Sequence, residues 1–116
     1  MLFLFLGLWW PEALERGEKE NKPIFLDVYA TWCGPCKKMK KKTFSNEKVG
    51  AFFNAHFINV AIDGETKEGR LLANQYGIMS YPSLLFVDGK GKVLEQGLGF
   101  HSVVELLAWG KTRVKI

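Results

Sequence analysis

Two cysteines stand close together in Trp32-Cys33-Gly34-Pro35-Cys36, and they are the only 2 cysteines of the 116-residue chain. A thiolate attacks a disulfide sulfur, and a second thiol nearby resolves the mixed disulfide that forms, so this spacing suits thiol-disulfide exchange. The pair directly follows an apolar run, Ile24 to Ala30. A strand ending at Thr31 would deliver Cys33 to the first turn of the next helix, where unpaired backbone N–H groups and the helix dipole favour negative charge on sulfur. Cys36 would then face the interior. Gly34 permits close approach of another backbone, and Pro35 suits a first helical turn, which has no use for its missing N–H.

Three other uses of the pair are weaker. As a structural staple, so short a ring would contribute only roughly 2 kcal/mol, and strain subtracts from that. A structural zinc site needs four protein ligands, and only His56 and His101 could join the cysteines, neither in a recurring ligand spacing. Two unreactive core cysteines would have no need of the Trp-Cys-Gly-Pro-Cys run behind a strand signal. The expectation is a redox site with no metal and no cofactor.

Asp27 interrupts the apolar run. A carboxyl group there is expected to be desolvated and its pKa raised towards neutrality, where it can exchange a proton with Cys36. At a strand end it would bond nearby backbone instead.

At this length one domain is expected, spanning residues 1–116, with a core large enough to make disulfides optional. A hydrophobic fraction of 47% and an aromatic fraction of 14% exclude a disordered chain. The formal net charge is +4, and five of the 16 basic residues stand together as Lys37, Lys38, Lys40, Lys41 and Lys42. Such a run is most often a solvated helix face; the other reading is a field that lowers the thiol pKa or steers acidic partners. Nucleic-acid binding would need a broader basic face and a recognition motif, and neither is present.

Met1 to Leu8 is nearly all apolar but too short to span a bilayer, and it has neither a basic leader nor a small-residue cleavage pattern. The preferred reading is an opening strand with Leu2, Leu4 and Leu6 on one face and Phe3 and Phe5 on the other; a truncated signal or anchor over residues 1–9 is the alternative. A helix from Pro11 to about Glu20 follows, closed by Asn21-Lys22-Pro23. Ile24 to Ala30 reads as a strand. A long helix from Cys33 carries Met39 and Phe44 to a break at Ser45, which would cap a second piece bearing Val49, Phe52 and Phe53. Next come a strand at Phe57 to Ile62 and a helix at Glu68 to Tyr76 capped by Gly77. Leu84 to Val87 and Lys92 to Gln96 form a hairpin around Asp88-Gly89-Lys90-Gly91. Ser102 with Glu105 makes a capping box for a last helix, Val103 to Trp109. Right-handed crossovers make the early strands parallel, the hairpin adds antiparallel edges, and helices must cover both faces.

From about Pro11 to Trp109 the chain resembles the thioredoxin-like superfamily. Asp27 lies six residues before Cys33, as the buried carboxylate of thioredoxins does, and Tyr76-Gly77-Ile78 followed by Tyr81-Pro82-Ser83 resembles their cis-proline loop. Lys22-Pro23, Leu26-Asp27, Tyr29-Ala30, Trp32-Cys33, Cys36-Lys37 and Thr43-Phe44-Ser45 are similar to the C-terminal catalytic domain of bacterial transmembrane thiol-disulfide interchange proteins. Two positions depart from thioredoxins: Asn59 stands where a lysine often lies beside the buried Asp, and Tyr81 replaces an aliphatic residue before the proline.

The resemblance implies an α/β thioredoxin fold, a central mixed sheet with helices on both faces. It also implies a thiol-disulfide oxidoreductase in which Cys33 is the nucleophile, Cys36 resolves and Asp27 moves the proton. Trp32 is expected as an exposed apolar wall, with Gly34, Pro35, Tyr81 and a cis Pro82 completing the substrate platform. His56 and His101 are expected to be structural, and Trp9, Trp10 and Trp109 to pack in the core or at its edge. Gly34-Pro35 resembles the dipeptide of reducing thioredoxins, which points to a reductase; an isomerase and an adaptor without turnover are the rivals. The partners implied are protein or small-molecule disulfides and an unnamed upstream electron donor, for a monomer that binds no nucleic acid. The similar small relatives are secreted or periplasmic, which favours an extracytoplasmic compartment.

Overall fold

The structure is a computed structural model that describes residues 3–114. Its elements are α1 (Trp10–Glu20), β1 (Ile24–Tyr29), α2 (Gly34–Lys38) running into a π-helical turn (Met39–Thr43), α3 (Glu47–His56), β2 (Ile58–Asp63), α4 (Lys67–Tyr76), β3 (Ser83–Val87), β4 (Val93–Leu98) and α5 (Val103–Thr112). The four strands form one sheet in the order β2-β1-β3-β4, with β1 parallel to β2 and antiparallel to β3, and β3 antiparallel to β4. The hairpin therefore supplies one central strand and one edge, where the sequence suggested two edges.

Side chains alternate along β1 because successive residues of a strand point to opposite faces. Ile24, Leu26 and Val28 pack with Trp10, Ala13 and Leu72 of α1 and α4. Phe25 packs on the other face with Met39, Phe44, Val49, Phe53 and Leu106, from the π turn, α3 and α5. Asp27 shares the parity of Phe25, so it faces the layer that carries the cysteines.

The opening strand is not formed. Residues 3–9 make no ladder, and Met1 and Leu2 lie outside the described residues. One backbone bond, from Leu6 N–H to Asn59 O at 2.8 Å, ties the segment to β2. The alternation read from the sequence is still used, since Phe3 and Phe5 join the Phe25 layer while Leu6 and Leu8 join the Leu26 layer. Leu4 is exposed. Side-chain packing satisfies this pattern without strand pairing.

Caps follow the chemistry of their residues. The Ser102/Glu105 capping box is present, and Gly77 closes α4 at φ 65°, a conformation that glycine adopts without steric cost. Ser45 does not cap α3: its hydroxyl donates back to Lys41 O, and Asn46 Oδ1 accepts from Lys48 N–H and Val49 N–H instead. Trp9 is exposed, against expectation, whereas Trp10 is buried edge-on to Tyr76 with ring centroids 5.9 Å apart.

Gly69 on α4 lies against the end of β2, and a Cβ there would overlap the Asp63 carbonyl. Helix propensity alone favours alanine by about 1 kcal/mol, but overpacking against fixed backbone costs about 1–3 kcal/mol or more and decides the sign. Gly69→Ala is therefore expected to lower the urea midpoint of unfolding at unchanged m. An unchanged or higher midpoint would contradict the close packing of α4 on the Asp63 turn.

Candidate functional site

β1 ends at Tyr29, and Ala30, Thr31 and Trp32 carry the chain to α2. Cys33 is the N-cap of α2, where its Sγ accepts a hydrogen bond from Cys36 N–H at 3.1 Å. The two cysteines are joined as a disulfide with Cα atoms 5.3 Å apart. Their exposure is the reverse of the expected order: Cys33 is only 3% exposed, while Cys36 is half-buried. Cys33 stands just outside the helix as its N-cap, and Gly34 and Pro35 after it are exposed. Cys36, one turn on, borders a cavity.

That cavity has a volume of about 390 Å³ and is lined by Asp27, Tyr29, Cys36, Lys37, Lys40 and Phe44 among others. Asp27 is 7% exposed, and its Oδ1 finds no hydrogen-bond donor among the described residues. Burial without compensation penalises the charged form and pushes the Asp27 carboxyl up to about 7. The expectation of a desolvated carboxyl therefore holds, and the backbone-bonded alternative does not. Burial, followed by the Asp63 and Asp27 carboxylates, also pushes the Tyr29 phenol upward.

Asn59, which stands where thioredoxins often carry a lysine, takes no part in this cavity. Its Nδ2 donates to Phe53 O at 3.0 Å, closing the end of α3. The cations that line the Asp27 cavity come from the helix side, as Lys37 and Lys40.

The outer rim is assembled from distant segments. Trp32 is 64% exposed, and its ring lies edge-on to that of Tyr81 with centroids 6.0 Å apart. The Tyr81–Pro82 peptide is cis. Pro82 is buried, and its carbonyl accepts from Gly99 N–H at 2.9 Å, which ties the loop after β4 to the loop before β3. The Tyr81 ring in turn covers Gly64, where a Cβ would lie 2.5 Å from Tyr81 Cε1.

Two contributors were not found from the sequence. Trp32 Nε1–H donates to Glu65 Oε1 at 2.7 Å, and Glu65 N–H is itself held by Asp63 Oδ1 at 2.9 Å. Glu65 lies in a polar turn 33 residues from Trp32, and no local signal marks it. His101 is the second, since its N–H donates to Met39 Sδ at 3.1 Å and its carbonyl accepts from Thr43 Oγ1 at 2.6 Å. These bonds, with Nδ1 on Gly99 O at 3.0 Å and the ring stacked on Trp109, anchor the π turn to the loop beside Pro82. The expectation of a structural His101 fits this; His56 packs on Phe52 with ring centroids 4.6 Å apart.

Residues 6–89 match the family model described as Thioredoxin-like. The chain belongs to the thioredoxin-like family. Over 98% of its length this thioredoxin-like protein superposes on a solved protein of Bacteroides thetaiotaomicron described as a disulphide-isomerase, with 41% identity, 94% of that chain covered and a TM-score of 0.84. It is 32% identical over 93 residues to the thiol:disulfide interchange protein DsbD of Yersinia pestis, a match covering 78% of this chain and 16% of that protein. The oxidised C-terminal domain of Neisseria meningitidis DsbD superposes at a TM-score of 0.76 with 26% identity, covering 98% of this chain and all of that one. The thioredoxin-like chain spans from 8% to 17% of the length of the curated relatives it matches. The mixed sheet with helices on both faces is thus the thioredoxin fold, and the Cys33–Cys36 pair is the redox-active Cys-x-x-Cys pair of that family.

The carboxyl of Asp27 makes stability depend on pH. Its folded pKa of about 7 lies above the ordinary value of 3.8, so its stabilising share is full below about pH 4 and is lost as pH climbs through 7. At about 1.36 kcal/mol per unit, that gap corresponds to roughly 4 kcal/mol between the limits. Asp27→Asn, which keeps the shape and removes the charge, should raise the stability of the oxidised protein at pH 8 and change it little at pH 4. Urea unfolding at the two pH values checks this, and a variant equally destabilised at both would contradict it.

Proposed function

We propose that this protein is a thiol-disulfide reductase acting on protein or small-molecule disulfides, with Cys33 as nucleophile, Cys36 as resolving thiol and Asp27 as the proton carrier. The observation that carries the reading is the cavity shared by Cys36 and a buried Asp27 whose Oδ1 has no donor among the described residues. In the reduced protein the Cys33 thiolate is favoured by the Cys36 N–H and by the start of the helical run Gly34 to Thr43. It attacks one sulfur of the substrate, a mixed disulfide forms, and the first substrate thiolate leaves. Asp27, ionised for part of the time near neutral pH, accepts the Cys36 proton. The Cys36 thiolate then attacks Cys33 Sγ, the second substrate thiol departs with a proton, and the protein is left as its disulfide after a two-electron transfer. An upstream dithiol donor would restore the thiols.

Trp32, Gly34, Pro35, Tyr81 and Pro82 serve in this reading as the substrate platform. Four of them are exposed or half-exposed beside the cysteines, and Pro82 lies buried beneath them. Tyr81 offers backbone groups to an extended segment, in the manner of a short added strand.

A second reading, disulfide isomerisation, is favoured by the 41% identity to the Bacteroides protein described as a disulphide-isomerase. The reduction potential separates the two. A reductase is expected on the reducing side of about -200 mV, near the thioredoxin value of about -270 mV, and an isomerase near about -180 mV. Equilibration with glutathione or dithiothreitol buffers and counting of free thiols gives the value. One near the oxidising end, about -120 mV, would overturn the reductase assignment.

The roles of the two thiols make a separate expectation. In the reduced protein at pH 7, iodoacetamide should modify Cys33 about tenfold faster than Cys36, because a thiolate is favoured at the N-cap while Cys36 shares its cavity with a carboxyl group. Mass spectrometry of the labelled peptides checks this, and faster labelling of Cys36 would exchange the roles. Asp27→Asn should slow turnover at neutral pH without slowing the first alkylation of Cys33.

A further inference from the structure

We propose that the lysine face from Lys37 to Lys42 is a docking surface for a partner protein that surrounds its own disulfide with acidic side chains. The proposal rests on the reductase reading above and names the class of partner that reading leaves open. Lys37, Lys38, Lys40, Lys41 and Lys42 are all exposed. Among the described residues the ion pairs are Arg16–Glu20 and Arg113–Glu95, so none of the five has a carboxylate partner.

A solvated, self-compensating helix face would place acids three or four residues from these lysines. The sequence places none there: those positions carry cysteine, glycine, proline, methionine, threonine, phenylalanine, serine, asparagine or another lysine. Like charges at such spacings destabilise a helix, so the face opposes the folding of the segment that bears it. Taking these five charges from the net +4 leaves the rest of the chain at -1. The whole positive excess of the molecule is therefore concentrated beside the redox pair, which makes a directed field rather than a generally basic protein.

The lysines follow the disulfide directly in the chain and reach two parts of its surroundings. Lys37 and Lys40 line the cavity that holds Asp27 and Cys36. Lys38 Nζ sits 4.3 Å from the centroid of the Phe100 ring, next to Gly99, whose N–H is bonded to Pro82 O. Glu65, an acid of the rim, is bonded to Trp32 and, among the described residues, forms no ion pair with these lysines. The apolar residues of the lysine segment, Met39 and Phe44, are buried. The face thus offers charge without an insertable apolar stripe, which favours an acidic protein surface over a lipid one.

The test uses the reduced protein and two synthetic peptides with the same disulfide ring, one flanked by glutamates and the other by glutamines. The ratio of their second-order reduction rates isolates docking, because any effect of the lysines on the thiol pKa acts on both peptides alike. At about 20 mM salt the acidic peptide is expected to react about tenfold faster, and at about 500 mM the ratio should fall towards one. The triple variant Lys38→Gln, Lys41→Gln, Lys42→Gln should lose most of the preference at low salt. Equal rates for the two peptides overturn the docking surface and leave the reductase reading standing. Reduction of neither peptide overturns both. A preference that survives in the triple variant or at high salt places recognition elsewhere and overturns the proposal, as does binding to phosphatidylglycerol vesicles without any peptide preference.

Discussion

A carboxyl group held out of water in a central strand is the constraint around which this molecule is arranged. β1 pairs on both sides, with β2 and β3, and is packed on both faces, so Asp27 lies away from any sheet edge and meets solvent only through the cavity at Cys36. Its neighbours in register are Ala61 and Leu84, which offer it no side-chain donor. An apolar residue at this position would serve the core better, since an ionised carboxylate there is costly and the neutral acid only less so. What the position does provide is a group about half ionised near neutrality in the cavity that Cys36 also lines. The opening of the cavity at Cys36 and the lack of a donor to Asp27 Oδ1 among the described residues are two aspects of the same placement.

The remaining structure holds other groups at fixed distances from that pair. Glu65 fixes the Trp32 ring, Gly64 leaves room for Tyr81, and Gly69 lets α4 press against the turn that presents both. On the other flank, His101 binds the π turn through Met39 and Thr43 and binds Gly99 through its ring. The wider turn has a packing reason: Met39, Thr43 and Phe44 are all buried, and the Phe44 N–H to Met39 O bond accommodates an added residue in the helical turn.

Much of this was legible in the sequence, and the misses have physical causes. Asp27 stood out because a charge breaking a strand pattern has few explanations, and Gly77 and the Ser102/Glu105 box carry local chemistry that any fold must respect. Ser45 and Asn46 are both competent N-caps, and only the direction of the chain decided between them. The burial order of the cysteines turned on whether Cys33 falls just inside or just outside the helix, a one-residue difference that sequence patterns do not resolve. Residues 3–9 have a strand-like alternation, yet packing on two layers satisfies it with a single backbone bond to the sheet. The placement of β3 beside β1 and the reach of Glu65 to Trp32 are contacts between distant segments, for which no local signal exists.

The pairing of Asp27 with Leu84 separates two capacities of the chain in time. Cys33 and Cys36 are neighbours in sequence, so an unfolded or nascent chain can already close them into a ring. Activation is different in kind: the buried carboxyl, the rim and the ordered N-cap exist only once β3 has closed a long loop against β1, a step whose entropy cost must be met before its contacts form. A chain still being synthesised would thus carry ordinary thiols. Under the proposed function, full exchange activity would arrive only with the folded sheet, while the bare capacity to form the ring precedes it.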